Sequence, residues 1–364
     1  MLPSPRPLFV HGCNYPWSTD GTVVYYGLDF GENVWGSHLG VTSRLPAIAR
    51  DLEAMAALGF TAVRWFVFCD GRAGIVFDDR GRPTGLDDHF FPDLDAALSL
   101  AAGVGLRLCL VLLDHHWMFR GVRQVIADPI SGDLLEAALP SGRARVLREA
   151  AGREALLTHV LEPLVTRYGH GGARSDLGAA IFAWELMNEP DFVVEEWEQD
   201  LSSHVAEPIR FAELGELVGR FNALVHRRSD ALTTIGSARL RNLWAWENPA
   251  LGVDLLQVHS YPNLNKPKQD VDMFGQRPDE LGIFRPLLLG EFPGDPLEQH
   301  PLGVRPPEWG LEDYLEWALS SGFAGAWPWS FSGTDQYGRL RAEQLKAFAG
   351  RHPAVVNARF RRGL

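Results

Sequence analysis

Short runs of uninterrupted apolar residues alternate along this chain with stretches in which apolar residues recur every three or four positions. A run with no polar face suits a parallel strand covered on both sides, and the longer period suits an amphipathic helix. The clearest run, residues 180–191 (AIFAWELMNEPD), climbs through Ile181, Phe182 and Trp184 and stops at Asn188, Glu189 and Pro190. Proline cannot donate to a ladder, so a strand ends there and presents an amide and a carboxyl at its C-terminal edge. Seven further runs predict strands at residues 8–13, 60–68, 106–113, 231–236, 253–258, 283–289 and 322–330.

Between them, Ser43 predicts the cap of a helix carrying Leu45, Ile48, Leu52 and Met55 on one face and stopping at Gly59. Leu94, Leu98 and Ala101 mark a second helix, and Val146 to Val165 predict a long third one. Leu214 to Val225, Leu311 to Leu319 and residues 340–348 predict three more, whereas the fifth strand and the helix after it are thinly patterned. Residues 118–143 read as a loop. Residues 14–42 form another, whose rings Tyr15, Trp17, Tyr25, Tyr26, Phe30 and Trp35 suggest the wall of a binding site. Eight strands alternating with helices predict a single (β/α)8 TIM barrel over residues 1–364, with a long loop after the first strand. A dinucleotide-binding sheet would need Gly-x-Gly-x-x-Gly after an early strand, which the chain lacks.

Charge and composition remove other classes. There are 46 acidic and 34 basic residues, a net charge of −12, and no basic block to follow a phosphate backbone, so no nucleic-acid partner is expected. No run approaches the roughly 20 apolar residues of a membrane span, and the first residues carry no secretory-type apolar stretch, so a cytoplasmic location is expected. Cys13, Cys69 and Cys109 lack metal-ligand spacing and read as buried thiols.

In a parallel barrel the C-terminal strand ends meet around one mouth. They deliver Arg64 from the second strand, His115 and His116 from the third, Asn188 and Glu189 from the fourth, His259 and Tyr261 from the sixth, Glu291 from the seventh, and Trp327 and Trp329 from the eighth. Asn188 and Glu189 do not alternate, so both face inward only if the strand end is irregular. Two carboxylates flanking one cavity, with aromatic surfaces nearby, are the equipment for glycosidic cleavage: one protonates the leaving oxygen while the other attacks the anomeric carbon or activates water. Arg64 beside Glu291 would keep that carboxylate charged, and burial would keep Glu189 protonated.

The motif WELMNEP at residues 184–190 resembles the acid/base signature of the clan A retaining glycoside hydrolases, most closely family 5, the cellulase and mannanase family. VRW around Arg64, DHH at 114–116, HSY at 259–261, GEF at 290–292 and WPWS at 327–330 extend the resemblance in the same order. It implies Glu189 as acid/base and Glu291 as nucleophile, Asn188 on the sugar 2-hydroxyl, and Arg64 and Tyr261 orienting the nucleophile. It also implies His116 and His259 lining the sugar subsite, Trp327 as its floor, retention of configuration, an oligosaccharide or glycoside substrate, and no metal or other cofactor. Whether His115 or His116 faces the sugar, and whether Trp327 or Trp329 is the platform, stays open at this point. Glu185 reads as a structural group held by hydrogen bonds inside the barrel. Two rivals are a metal-dependent barrel hydrolase using Asp114, His115, His116, His259 and a glutamate, and a sugar-binding barrel that has lost catalysis. Against the first, His115 and His116 would face opposite ways on a regular strand. Against the second, both glutamates are present. The long first loop, by blocking one side of the cleft, predicts exo action.

Overall fold

The computed structural model describes residues 9–19, 25–119, 123–127, 134–138, 143–197, 208–261, 276–294, 310–333 and 340–353. Eight parallel strands close a barrel: Val10–Asn14, Ala62–Phe66, Arg107–Asp114, Ile181–Asn188, Leu232–Ser237, Leu255–His259, Leu287–Pro293 and Gly325–Trp329. Each pairs with the next in chain order, and the eighth closes on the first through Val10 opposite Gly325 and His11 opposite Ala326. Apart from Arg107, every residue of these strands is buried, which is why they read as apolar runs with no solvent face. The thinly patterned fifth strand hides its polarity inside. Thr233 donates its hydroxyl to the Gly252 carbonyl at 2.9 Å, and Thr234 Oγ1 accepts from Gln257 at 3.1 Å.

Several local expectations are corrected. Ser43 lies in a 3-10 turn, Val41–Ser43, and donates to the Gly40 carbonyl at 2.7 Å, so the helix Leu45–Ala57 starts after Arg44 instead. The long third helix is broken into Arg143–Arg148, Ala150–Leu156, a π-helical turn Leu157–Leu161, and Glu162–Tyr168. Glu149 is extended at φ −86° and ψ 131°, and Pro163 has no N–H for an i−4 bond, so the register slips at both places. The stretch read as a loop contains an antiparallel hairpin, Arg123–Ala127 with Leu134–Ala138. A second hairpin, Ile75–Phe77 with Pro83–Leu86, follows the second barrel strand.

Inward-facing side chains fill the barrel in layers. At the N-terminal end Val10, Ala62, Phe182, Leu232, Leu255 and Trp327 form an apolar plug. Gly12 permits it, because a Cβ there would lie 2.5 Å from Trp327 Nε1. One pleat higher the filling becomes polar, with Arg64, Glu185 and Gln257 fully buried, and above them the strand ends open at the mouth. Among the described residues no helix is long and apolar enough to cross a membrane.

Candidate active site

Arg64 is the anomaly of the second strand and the hub of the polar layer. Its guanidinium has five N–H donors and spends them on five contacts. Nε and Nη2 donate to the two oxygens of Glu185 at 2.7 and 2.6 Å, Nη1 to Glu291 Oε1 at 2.5 Å and Asn14 Oδ1 at 3.0 Å, and Nη2 to Asn188 Oδ1 at 2.6 Å. Burial opposes its charge, but Glu185 and Glu291 more than offset that and hold the guanidinium's pKa above its ordinary value. Asn14 passes the constraint on by donating to the carbonyls of Gly290 and Trp327 at 2.9 and 3.0 Å. Glu185 is the structural group the sequence suggested, held additionally by Gln257 at 2.8 Å.

At the mouth the fourth strand has the irregularity that two adjacent inward residues require. Glu185 pairs with Thr234 but Asn188 with Gly236, so three steps on one strand oppose two on the next. Glu189 then turns into the left-handed region at φ 46°, with its N–H on the Gly236 carbonyl at 2.8 Å. Asn188 consequently faces Arg64 and donates to Asp114 Oδ2 at 2.7 Å, while the Glu189 carboxyl reaches the cavity. On the seventh strand Glu291 accepts from Tyr261 at 2.7 Å as well as from Arg64. His259 stands between the carboxyls, with Nδ1 3.0 Å from Glu189 Oε1 and 3.3 Å from Glu291 Oε1.

The two carboxyls experience different fields. Burial, with Asp114 and Asp191 nearby, pushes Glu189 up to about 8. Glu291 is also raised by burial, while His259, Arg64 and the Tyr261 hydroxyl pull it back. Burial lowers His259 and keeps it neutral. An oxygen of Glu189 and one of Glu291 lie within 4.8 Å of each other. The cavity therefore offers a protonated acid beside a cation-held carboxylate.

The third strand ends at Asp114, and His115–Met118 form a 3-10 turn. This corrects the expectation that the histidines point to opposite faces: once the chain leaves the strand, the two rings stack at 4.3 Å. His116 packs its Nδ1 on Asp114 Oδ1 and lies 3.3 Å from the Tyr26 hydroxyl. His115 is deeper, 3.9 Å from Glu189 Oε2, and burial drops it to about 4. Both rings line the cavity. Asp114 keeps its charge despite burial because the two imidazoles and the His116 amide hold its pKa below the ordinary range.

Among the described residues, two groups of side chains present metal-type ligand atoms within 4.8 Å of one another: Asp114 with His115 and His116, and Glu189 with His259 and Glu291. In the second, the Arg64 guanidinium already sits on Glu291 Oε1, a fixed cation that repels another.

Trp327 is the one proposed site residue that the structure takes away from the mouth. Its ring is fully buried in the plug against Phe182, centroids 5.7 Å apart, with Nε1 donating to the Val10 carbonyl at 3.1 Å. Side chains two positions apart share a face at different depths, so Trp329 is the one at the opening. It packs with Phe66 and Val111 and meets Trp17 edge-on at 5.9 Å. Of the first-loop rings, only Trp17 and Tyr26 reach this cluster. Tyr15 and Phe30 pack on Trp65, and Trp35 is exposed. The residue that sequence reasoning missed is Asn14, a polar group ending an apolar strand, the same signal that found the others. A separate cavity of about 550 Å³, lined by Arg107, Tyr168, Ile181, Phe182 and Asp230, opens at the far side of the plug and holds none of these groups. Cys13, Cys69 and Cys109 are buried free thiols.

No protein-family model matches the chain. It is similar to the mannan endo-1,4-beta-mannosidase of Mytilus edulis, 22% identical over 367 residues that cover 93% of this chain and 87% of that protein. Among solved structures it resembles the endo-1,4-beta-mannanase of Eisenia fetida, with a TM-score of 0.65 and 20% identity over 94% of this chain and 90% of that one. It also resembles the beta-1,4-D-mannanase of Cryptopygus antarcticus, with a TM-score of 0.68 and 19% identity over 98% and 92%.

Proposed function

We propose that the chain is a glycoside hydrolase of the clan A, family 5 type, and that it hydrolyses β-mannosidic linkages with retention of configuration. The observation that carries the mechanism is the approach of Glu189 and Glu291 to within 4.8 Å at their nearest oxygens. Inverting enzymes hold their carboxyls roughly 6.5–9.5 Å apart to fit a water between them, and retaining ones about 5–5.5 Å. In the first step Glu291 Oε2 or Oε1 attacks the anomeric carbon while Glu189 gives its proton to the departing oxygen. In the second, Glu189 takes a proton from water, and that water displaces Glu291 from the glycosyl ester. Glu189 held at about 8 carries the proton it must donate at neutral pH, while Arg64 and Tyr261 fix Glu291 as the attacking carboxylate. Asn188, anchored by Arg64 and Asp114, presents its amide to the sugar 2-hydroxyl; His115, His116 and His259 line the subsite, and Trp329 supplies the stacking face.

Mannan is the favoured substrate, because the similar proteins named above act on it, and internal cleavage follows the same similarity. The exo reading loses support from the first loop, whose Tyr15 and Phe30 pack down into the core. The test is hydrolysis of β-mannan, manno-oligosaccharides and a panel of aryl β-glycosides, with the anomer of the first product followed by NMR. Mixed manno-oligosaccharide products of β configuration are expected. Turnover of other sugars with none on mannosides would overturn the substrate, and an α product would overturn the mechanism.

A further inference from the structure

The geometry points to a binding site for one divalent transition-metal ion, of the Zn²⁺ type, formed by Asp114, His115 and His116 beside Glu189, whose occupation switches hydrolysis off. The inhibitory part rests on Glu189 being the acid/base; the binding part does not.

His115 Nδ1 is the starting point. The residue is 7% exposed, and this nitrogen has no hydrogen-bond partner although it is buried. Such a group is costly unless something comes to it. It is aimed between two carboxyls, 3.4 Å from Asp114 Oδ1 and 3.9 Å from Glu189 Oε2, both too far or too oblique to bond it. Zinc bonds of roughly 2.0–2.1 Å in a tetrahedron set neighbouring ligand atoms about 3.3 Å apart, close to the 3.4 Å between His115 Nδ1 and Asp114 Oδ1. His116 Nδ1 completes the set, since it, His115 and Asp114 already present ligand atoms within 4.8 Å of one another. The His116 ring, now resting on Asp114, has to back away to admit the ion. Its side chain is 30% exposed, which leaves it room to do so.

The surroundings favour this side of the cavity over the other. Asp114 Oδ2 is held by Asn188 at 2.7 Å, which fixes the carboxylate and leaves Oδ1 turned to the histidines, the kind of outer support that ligating carboxylates use. Two imidazoles with a carboxylate suit zinc or copper better than magnesium or calcium, which prefer all-oxygen shells. An ion there stands beside Glu189, whose Oε2 lies 3.9 Å from His115 Nδ1, and its charge favours loss of the proton that Glu189 must deliver to the leaving oxygen.

The direct test is binding, read without any hydrolysis. Co²⁺ titrated into the metal-free protein should give the intense visible bands of a four-coordinate site at one ion per chain, displaced by Zn²⁺. His115→Asn and, separately, His116→Gln should each weaken Zn²⁺ binding in calorimetry by at least about tenfold. Circular dichroism and unfolding of both variants check that they are folded. In parallel, Zn²⁺ should inhibit hydrolysis of an aryl β-mannoside at the same concentrations at which it binds, and EDTA should restore it. Binding of more than one ion with no change in either folded variant, or no Co²⁺ bands at all, would overturn the site. Co²⁺ binding by a protein inactive on every glycoside would leave the site standing and remove the proposed reaction instead.

Discussion

Arg64 and Glu185 form a bidentate ion pair, 2.7 and 2.6 Å, with neither side chain exposed to solvent. Such a pair is expensive to break from one side, because the survivor is left charged and dry. Glu185→Ala should therefore lower stability by about 3–5 kcal/mol, measured by denaturant unfolding. It should also lower activity, since the Arg64 that clamps Glu291 loses its main anchor. A variant of wild-type stability would mean that the pair is solvated in solution.

The pH dependence of kcat/KM should fall on its alkaline side with an apparent pKa near 8, as Glu189 loses its proton. Asp191 contributes to that elevation by its charge while its own carboxylate is tied to Ser237, Ala238 and Asn242. Asp191→Asn removes a negative neighbour, so the alkaline limb should move to lower pH. A limb that stays put would place the controlling group elsewhere.

Stability should carry the same signature. Glu189 is protonated in the folded chain between about 4.5 and about 8, where the unfolded chain has already released that proton. The folded state binds more protons over this window, so the group's contribution is fully present below about 4.5 and is lost as pH rises through about 8. Glu189→Gln cannot ionise, and its stability relative to wild type should rise across that window by up to about 4 kcal/mol. Parallel unfolding curves at pH 4.5 and 8.5 check it.

Tyr261→Phe deletes the 2.7 Å hydrogen bond to Glu291 while keeping the ring. Bonds to charged groups are worth about 1.5–3 kcal/mol, so kcat/KM should drop by roughly 10- to 100-fold. Glu291→Gln should cost on the order of 10⁴-fold or more, as loss of a covalent nucleophile does elsewhere. Comparable losses in the two variants would argue against Glu291 as the attacking group.

The eighth-strand tryptophans should separate cleanly. Trp327→Ala empties part of the plug and should destabilise by about 3–5 kcal/mol. Trp329→Ala should chiefly raise KM, seen in steady-state kinetics with manno-oligosaccharides, while unfolding changes less.

The barrel was legible because burial on both faces leaves strands with no polar side to alternate. The strand-end groups were legible because a charge or amide closing such a run has only the mouth to face. Arg64 announced itself as a cation inside an apolar run, but its chief partner, Glu185, could not be read from spacing, since the two lie 121 positions apart. Trp327 and Trp329, two positions apart on one strand, share a face, and a shared face gives no depth, so the sequence left open which ring is the platform and the resemblance alone pointed to Trp327, the ring that fills the plug. Parity failed at His115 and His116 for another reason: the strand stops one residue earlier, at Asp114, and a turn obeys a different period. The hairpins carry runs of three to five residues, too short for a periodic signal.

The plug at Phe182 and Trp327 makes the barrel a blind well with one opening. A long polymer cannot thread along its axis. On the proposed reaction it would lie across the rim and dip a single linkage toward Glu189 and Glu291, and both halves of a cut chain would leave by the way they came.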